Sequence, residues 1–231
     1  MRIAGFQKLT LLDYPGKVAC TVFTMGCNYR CPFCHNSTLV RPERFTADIP
    51  QEDIFTFLKK RVGILEGVCI TGGEPTLHSG LRGFIKRVKD MGFAVKLDTN
   101  GSNPGLLGRL MDEGLLDYVA MDIKNTLAKY PQTAGVSSLN VNPVIESAEL
   151  LLQERIPFEF RTTLVREYHT PEDIQEIGRW LQGAPRYILQ NFVDSGDLLG
   201  GEGLHPLEEP QMRAMADILR PYVREVGLRG I

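Results

Sequence analysis

The chain has 231 residues, 43% hydrophobic and 23% charged, enough to bury a full core in what is expected to be one domain over residues 1–231. A net charge of −2 argues against a nucleic-acid binder held by phosphate contacts. The opening run MRIAGFQKLTL lacks an apolar signal core, and no membrane-spanning run, lipid anchor, low-complexity tail or fixed-period repeat is present, so a cytoplasmic protein without membrane attachment is expected.

Strand-like and helix-like segments alternate along the chain. Val18–Thr24 is dense in β-branched and apolar residues and reads as strand one. Asp48-Ile49-Pro50-Gln51 marks a helix start, after which Ile54, Phe57 and Leu58 recur at helical spacing. Gly67–Thr71 is strand two; Leu81, Phe84, Ile85 and Val88 form the next helix stripe, which Gly92 can close. Phe93–Leu97 is strand three, and Asn103-Pro104 starts a helix carrying Leu106, Leu107 and Leu110. Tyr118–Ile123 is strand four, and Asn142-Pro143 opens a helix through Ile145, Leu151 and Leu152. Phe158–Leu164 is strand five, followed by the cap Thr170-Pro171-Glu172-Asp173 with acids in the first turn. Tyr187–Val193 is strand six, and a last helix runs from about Glu208 to Tyr222. Six βα alternations imply a parallel sheet with right-handed crossovers: an α/β chain folded as an open, partial (β/α)6 barrel, with its site at the C-terminal strand ends.

Motifs fall at those ends. After strand one comes MGCNYRCPFCHN, with Cys27, Cys31 and Cys34 at C-x3-C-x2-C spacing. Three ligands are one short of the four that a [4Fe–4S] cluster or a structural zinc normally takes. On a four-iron cluster this leaves one iron open to a ligand that is not protein, and the amino and carboxylate groups of S-adenosylmethionine (SAM) suit it. A zinc site would need His35 as the fourth ligand, but adjacent residues rarely reach one tetrahedral metal, and zinc ligands tend to come as two separated pairs. Disulfides do not suit the expected compartment. Cys20 and Cys69 lie in apolar runs and read as core residues.

Gly72-Gly73-Glu74-Pro75 follows strand two; it is either a common turn or a Cβ-free approach for a ligand, with Glu74 placed to accept from an ammonium group. Asp98-Thr99-Asn100-Gly101 follows strand three and reads as a turn, or as oxygens supplied by Asp98 and Thr99 beside a cofactor. Asp122 and Lys124 end strand four two residues apart and so face the same way, as a buried ion pair or as cofactor contacts. Arg161, on a strand-five face shared with Glu159 and Thr163, carries the same alternatives, its planar fork being suited to a carboxylate. Gln190 and Asn191 lie on strand six, and His78, His169 and His205 read as surface or capping residues.

The three-cysteine spacing, with Phe33 before the third cysteine, is the pattern of the radical SAM superfamily. Over most of its length, in GFQKLTLLDYPGKVACTVFTMGCNYRCPFCHN, ITGGEP, KLDTNG, MDIK and FRTT, the chain resembles glycyl-radical-enzyme activases. Among these it is most similar to the activating proteins of anaerobic ribonucleoside-triphosphate reductase. The resemblance implies a [4Fe–4S] cluster on Cys27, Cys31 and Cys34, Phe33 against the adenine, and Gly72, Gly73 and Glu74 on the methionine amine of SAM; His35 reads, from its place beside Cys34, as a cluster or cofactor contact or as a surface residue. It matches Asp98, Thr99 and Asp122 to positions that hold a monovalent cation in pyruvate formate-lyase activases, and Lys124 and Arg161 to cofactor-contacting ones. The strand-six histidine of those relatives has no counterpart in Gln190-Asn191-Phe192. With no cysteine after Cys69, an auxiliary-cluster domain is not expected, and the single cysteine in Asn36–Thr71 argues against a ferredoxin-like insert.

The implied activity is reductive cleavage of SAM, with electrons from a flavodoxin or ferredoxin-type donor, to place a glycyl radical on a partner enzyme. The loop from Asp194 to Gly203 is expected to help dock that partner. The alternatives are activation of a pyruvate formate-lyase type partner, radical SAM chemistry on a small molecule, and a zinc module without enzymatic activity.

Overall fold

The computed structural model describes residues 1–34, 36–41, 44, 45, 48–194, 196, 198–200 and 203–231. It divides into two compact units, residues 1–28, 38–120 and 155–157 forming the first and 29–37, 121–154 and 158–231 the second.

The elements of the first half of the chain are β1 (Ile3–Thr10), β2 (Ala19–Thr24), α1 (Ser37–Val40), α2 (Gln51–Lys59), β3 (Gly67–Gly72), α3 (Leu81–Asp90), β4 (Ala94–Thr99), α4 (Pro104–Asp112) and β5 (Tyr118–Asp122). In the first unit β2 pairs in parallel with β3 from Ala19↔Gly67 to Thr24↔Gly72, and β3 with β4 from Gly67↔Ala94 to Ile70↔Leu97. Cys20, Val22, Val68, Cys69, Ile70, Val95 and Leu97 are buried on these strands, because a parallel sheet covered by helices leaves neither face to water. The predicted stripe Leu81, Phe84, Ile85 and Val88 is the buried face of α3. Phe84 meets Phe55 of α2 at 5.0 Å between ring centroids. Side chains of this size contribute about 1.5–3 kcal/mol each on full burial.

The expectation of a purely parallel sheet is corrected by β1, which pairs antiparallel with β2 through two register shifts. Only Ile3 and Thr10 of β1 are buried, so the segment carries no alternating or continuous apolar signal.

Besides residues 29–37, the second unit takes in the end of β5 and then α5 (Tyr130–Thr133), α6 (Asn142–Leu152), β6 (Phe158–Leu164), α7 (Pro171–Trp180), β7 (Tyr187–Asn191), α8 (Glu209–Leu219) and β8 (Val226–Arg229). Strands β6, β7 and β8 are parallel in chain order. The short, half-buried β8 lies beyond the six strands that the alternation predicts. Thr170 and Asp173 form the expected capping box at α7, and Asp173 also accepts from Lys129 Nζ at 2.7 Å. Among the described residues, no helix is long and apolar enough to cross a membrane.

Candidate functional site

In the first unit, the C-terminal ends of β2, β3 and β4 carry Cys27, the GGE turn and the DTN turn. Gly72 has φ 121°, and a Cβ there would lie 2.3 Å from the Thr24 nitrogen; a Cβ on Gly73 would lie 1.9 Å from the Gly26 oxygen. Both glycines are therefore required by the chain's own backbone. Gly73 N–H donates to Thr24 O at 2.9 Å and Glu74 N–H to Gly26 O at 2.8 Å, which fixes the start of the cysteine loop against the turn.

Glu74 is fully buried, and its carboxylate joins the two turns. Oε1 accepts from the Thr76 N–H at 3.0 Å, the Thr76 hydroxyl at 2.5 Å and the Thr99 hydroxyl at 2.8 Å; Oε2 accepts from the Asn100 N–H at 2.6 Å. Burial pushes its pKa up, and these donors offset only part of that. Asn100 Nδ2 donates to Asn28 Oδ1 at 2.9 Å and lies 3.9 Å from Cys27 Sγ. An amide N–H at a cysteine sulfur is the kind of contact that tunes a thiolate metal ligand.

Asp98 and Thr99 already have partners within the chain. Lys96 Nζ donates to Asp98 Oδ1, while the Thr99 hydroxyl donates to Glu74 and its oxygen accepts from the Gly101 N–H at 3.1 Å.

In the second unit the loop continues through Cys31 and Cys34, with Cys34 N–H donating to Cys31 O at 3.1 Å. Two further glycines hold it, Gly135 and, within the expected docking loop, Gly200. A Cβ on Gly135 would lie 2.1 Å from Arg30 O, and one on Gly200 2.4 Å from Pro32 Cβ. Phe33 is buried against Tyr168, with centroids 5.9 Å apart, and His169 at 6.4 Å. Burial raises the Cys31 thiol to about 11 and raises Cys34 as well. None of the five cysteines is in a disulfide, and Cys20 and Cys69 are core residues as expected.

Asp122, Lys124 and Arg161 come together at the end of β5. Asp122 accepts from Lys124 Nζ at 3.1 Å through Oδ2 and from Arg161 Nε at 3.0 Å through Oδ1. Burial works to raise the Asp122 carboxyl, but the two cations outweigh it and bring it down to about 2.

His169 corrects the expectation of a surface or capping role. It is buried, accepts from the Val165 N–H at Nδ1 (3.1 Å) and donates from Nε2 to Lys124 O at 2.8 Å. Burial lowers its pKa, so it is a neutral clamp on the Lys124 backbone. His78 is likewise bound, its Nε2 lying 2.8 Å from Met25 O. Asn191 is committed to both backbone groups of Leu207, at 2.8 and 3.0 Å. His35 lies outside the described residues, as do Ser195, Asp197, Gly201 and Glu202 of the expected docking loop.

Among the described residues, no three His, Cys, Asp or Glu side chains converge at metal-binding distance. Assignment of a cluster therefore rests on the number, spacing and chemistry of the thiols.

The sequence model of the radical SAM superfamily matches residues 21–181. A Methanocaldococcus jannaschii protein named as a glycyl-radical enzyme activating enzyme is 30% identical over 99% of this chain and 96% of its own. The pyruvate formate-lyase-activating enzyme of Listeria monocytogenes is 28% identical over 80% of this chain and 77% of its own. Among solved structures, Streptococcus suis SuiB bound to S-adenosylmethionine superposes with a TM-score of 0.72 at 14% identity. That likeness covers 90% of this chain, which spans 49% of the SuiB chain, and it bears out the expected α/β fold.

Proposed function

Because the chain belongs to the radical SAM superfamily, enzymes that use a [4Fe–4S] cluster and SAM, we propose that it is a glycyl-radical-enzyme activase whose partner is the anaerobic ribonucleoside-triphosphate reductase. The observation that carries the reading is the set of three cysteines outside any disulfide, Cys27, Cys31 and Cys34, within eight residues of chain, one short of a complete cluster ligand set. Likeness over nearly the full length to a protein named as a glycyl-radical enzyme activating enzyme supports the partner class.

Bound together, cluster and SAM would supply one-electron reductive cleavage of SAM and, through it, removal of a hydrogen atom from a glycine Cα of the partner. The chain's own residues orient and shield. Gly26 and Asn28, hydrogen-bonded to the GGE and DTN turns, fix the backbone on either side of Cys27. In this reading Gly72, Gly73 and Glu74 would take the methionine amine, Phe33 would lie against the adenine, and Lys124 and Arg161 would contact the cofactor. Both cations already share Asp122, so an anionic group of the cofactor would join a cluster of three charges with net charge +1. His35 is assigned to the cofactor on sequence alone. The whole chain acts as one radical SAM domain, a flavodoxin or ferredoxin-type protein donates the electron, and the segment around Asp194 to Gly203 helps dock the partner.

The test is an anaerobic EPR spectrum of the reconstituted, reduced protein mixed with SAM and the host reductase. A glycyl-radical doublet that needs both proteins and SAM supports the activase and its partner. A reduced-cluster signal alone, beside a competent reductase, refutes this partner and moves the search to a pyruvate formate-lyase type enzyme or a small molecule. Each single Cys27→Ala, Cys31→Ala and Cys34→Ala change should abolish SAM cleavage. A colourless protein carrying zinc would sink the whole reading.

A further inference from the structure

The resemblance of Asp98, Thr99 and Asp122 to a monovalent-cation site does not fit the residues as they stand, and the misfit lies in β4. Lys96 and Asp98 are two apart on one strand and so share a face. Lys96 is 1% exposed and Asp98 13%. A buried ammonium is costly unless paired, and this one is paired: its Nζ donates to Asp98 Oδ1, with Cys69 Sγ at 3.9 Å and the Tyr118 ring centroid at 6.0 Å. The Thr99 hydroxyl oxygen both donates to Glu74 and accepts from Gly101 N–H. In the second unit, Asp122 holds two protein cations of its own. A sodium or potassium ion on Asp98 would sit beside an ammonium that cannot withdraw into water, and like charges at such range repel strongly in a desolvated setting.

We propose that Lys96 is the built-in counter-cation of Asp98, so that this chain holds the end of β4 with its own ammonium and needs no monovalent metal ion there. Lys96 is a positioning residue: it acts on the site through Asp98. The inference rests on the reading of the Asp98–Thr99 turn as part of the SAM site. Its consequence for the protein is independence from the identity of the salt.

The experiment uses the cluster-loaded protein in sodium, potassium or tetramethylammonium chloride at equal ionic strength. Two quantities are read: the thermal midpoint and the SAM dissociation constant by titration calorimetry. Wild type should show the same midpoint within about 1 °C, and the same SAM affinity within about twofold, in all three salts. Lys96→Met, or Lys96→Gln should the first fail to fold, removes the ammonium from the Asp98 carboxylate. It should gain a midpoint rise of about 5 °C or more in sodium or potassium once the ion is near a hundred times its dissociation constant.

A wild-type protein that loses midpoint or SAM affinity in tetramethylammonium overturns the proposal without any variant. A folded Lys96 variant as indifferent to salt as wild type overturns it too. Failure to bind SAM in every salt would count against the proposed site itself, while the midpoints would still decide the role of Lys96.

Discussion

Replacing Glu74 by Gln tests whether this carboxylate holds the GGE and DTN turns together. Gln is nearly isosteric but brings one acceptor and one NH2 group. With its oxygen kept on Thr76 and Thr99, the NH2 faces the Asn100 N–H, donor against donor, where Oε2 now accepts at 2.6 Å. Leaving one fully buried N–H without its charge-assisted acceptor costs about 2–3 kcal/mol. For a chain of this size the thermal midpoint should fall by about 5–10 °C. Circular dichroism on the cluster-free protein, with chelator present, measures it without interference from iron. The pH dependence gives a second check. Burial raises the Glu74 pKa in the folded state, so its contribution is fully present below the ordinary 4.5 and is lost as pH rises through the raised value. The gap between wild type and Glu74→Gln should therefore widen on acidification from neutral pH. A midpoint change under 1 °C, or a gap constant with pH, would refute the reasoning.

Three further outcomes are expected. Gly73→Ala forces a Cβ to within 1.9 Å of Gly26 O, so the variant should lose most of its iron on reconstitution, read by iron and sulfide assay, while Gly83→Ala, whose Cβ meets nothing within 4 Å, should load normally. Asp122→Asn removes a carboxyl whose folded pKa of about 2 lies below the ordinary 3.8, a contribution present above 3.8 and lost as pH falls toward 2. Its side chain is about one-third exposed, so solvent screening leaves about 1 kcal/mol, and urea midpoints of wild type and variant should draw together as pH falls from about 5 toward 2. His169→Ala removes the acceptor of Val165 N–H and the donor to Lys124 O, so SAM affinity should fall at least threefold by calorimetry, with part of it restored in His169→Gln.

What was legible in the sequence follows from which signals are local. The strands β2 to β7 stand out because buried parallel strands read as continuous apolar runs between helix caps. Alternation of strand and helix then puts every following loop at the same strand end. That alternation is why the sequence alone assigns Cys27, Glu74, Asp98 and Asp122 to the C-terminal ends of their strands. β1 escaped because most of IAGFQKLT is exposed or half-buried on an edge, and β8 because four half-buried residues carry no period. The site's partners were harder. Gly72 and Gly73 carry a second requirement that the tetrapeptide alone does not show: a Cβ on either would meet the backbone of Thr24 or Gly26. His169 gave no periodic signal because it sits in the turn before α7. Lys96 did leave a trace: a lysine inside the apolar run AVKL, two residues before an aspartate, is a buried cation with its partner already in view.

The titratable groups of the site share a property that bears on mechanism. Asp122 is held charged far below neutral pH by Lys124 and Arg161, and His169 is held neutral with both ring nitrogens engaged. Glu74, whatever its charge, faces N–H and O–H donors of its own chain. None is placed as a general acid or base would be, with a lone proton aimed at open space. An enzyme that moved protons would need at least one such group poised near its working pH. These three groups are instead held in place by their own chain, which suits a site whose difficult step belongs to bound cofactors. On that argument, the pH dependence of SAM cleavage should report the thiols and the electron donor rather than Glu74, Asp122 or His169.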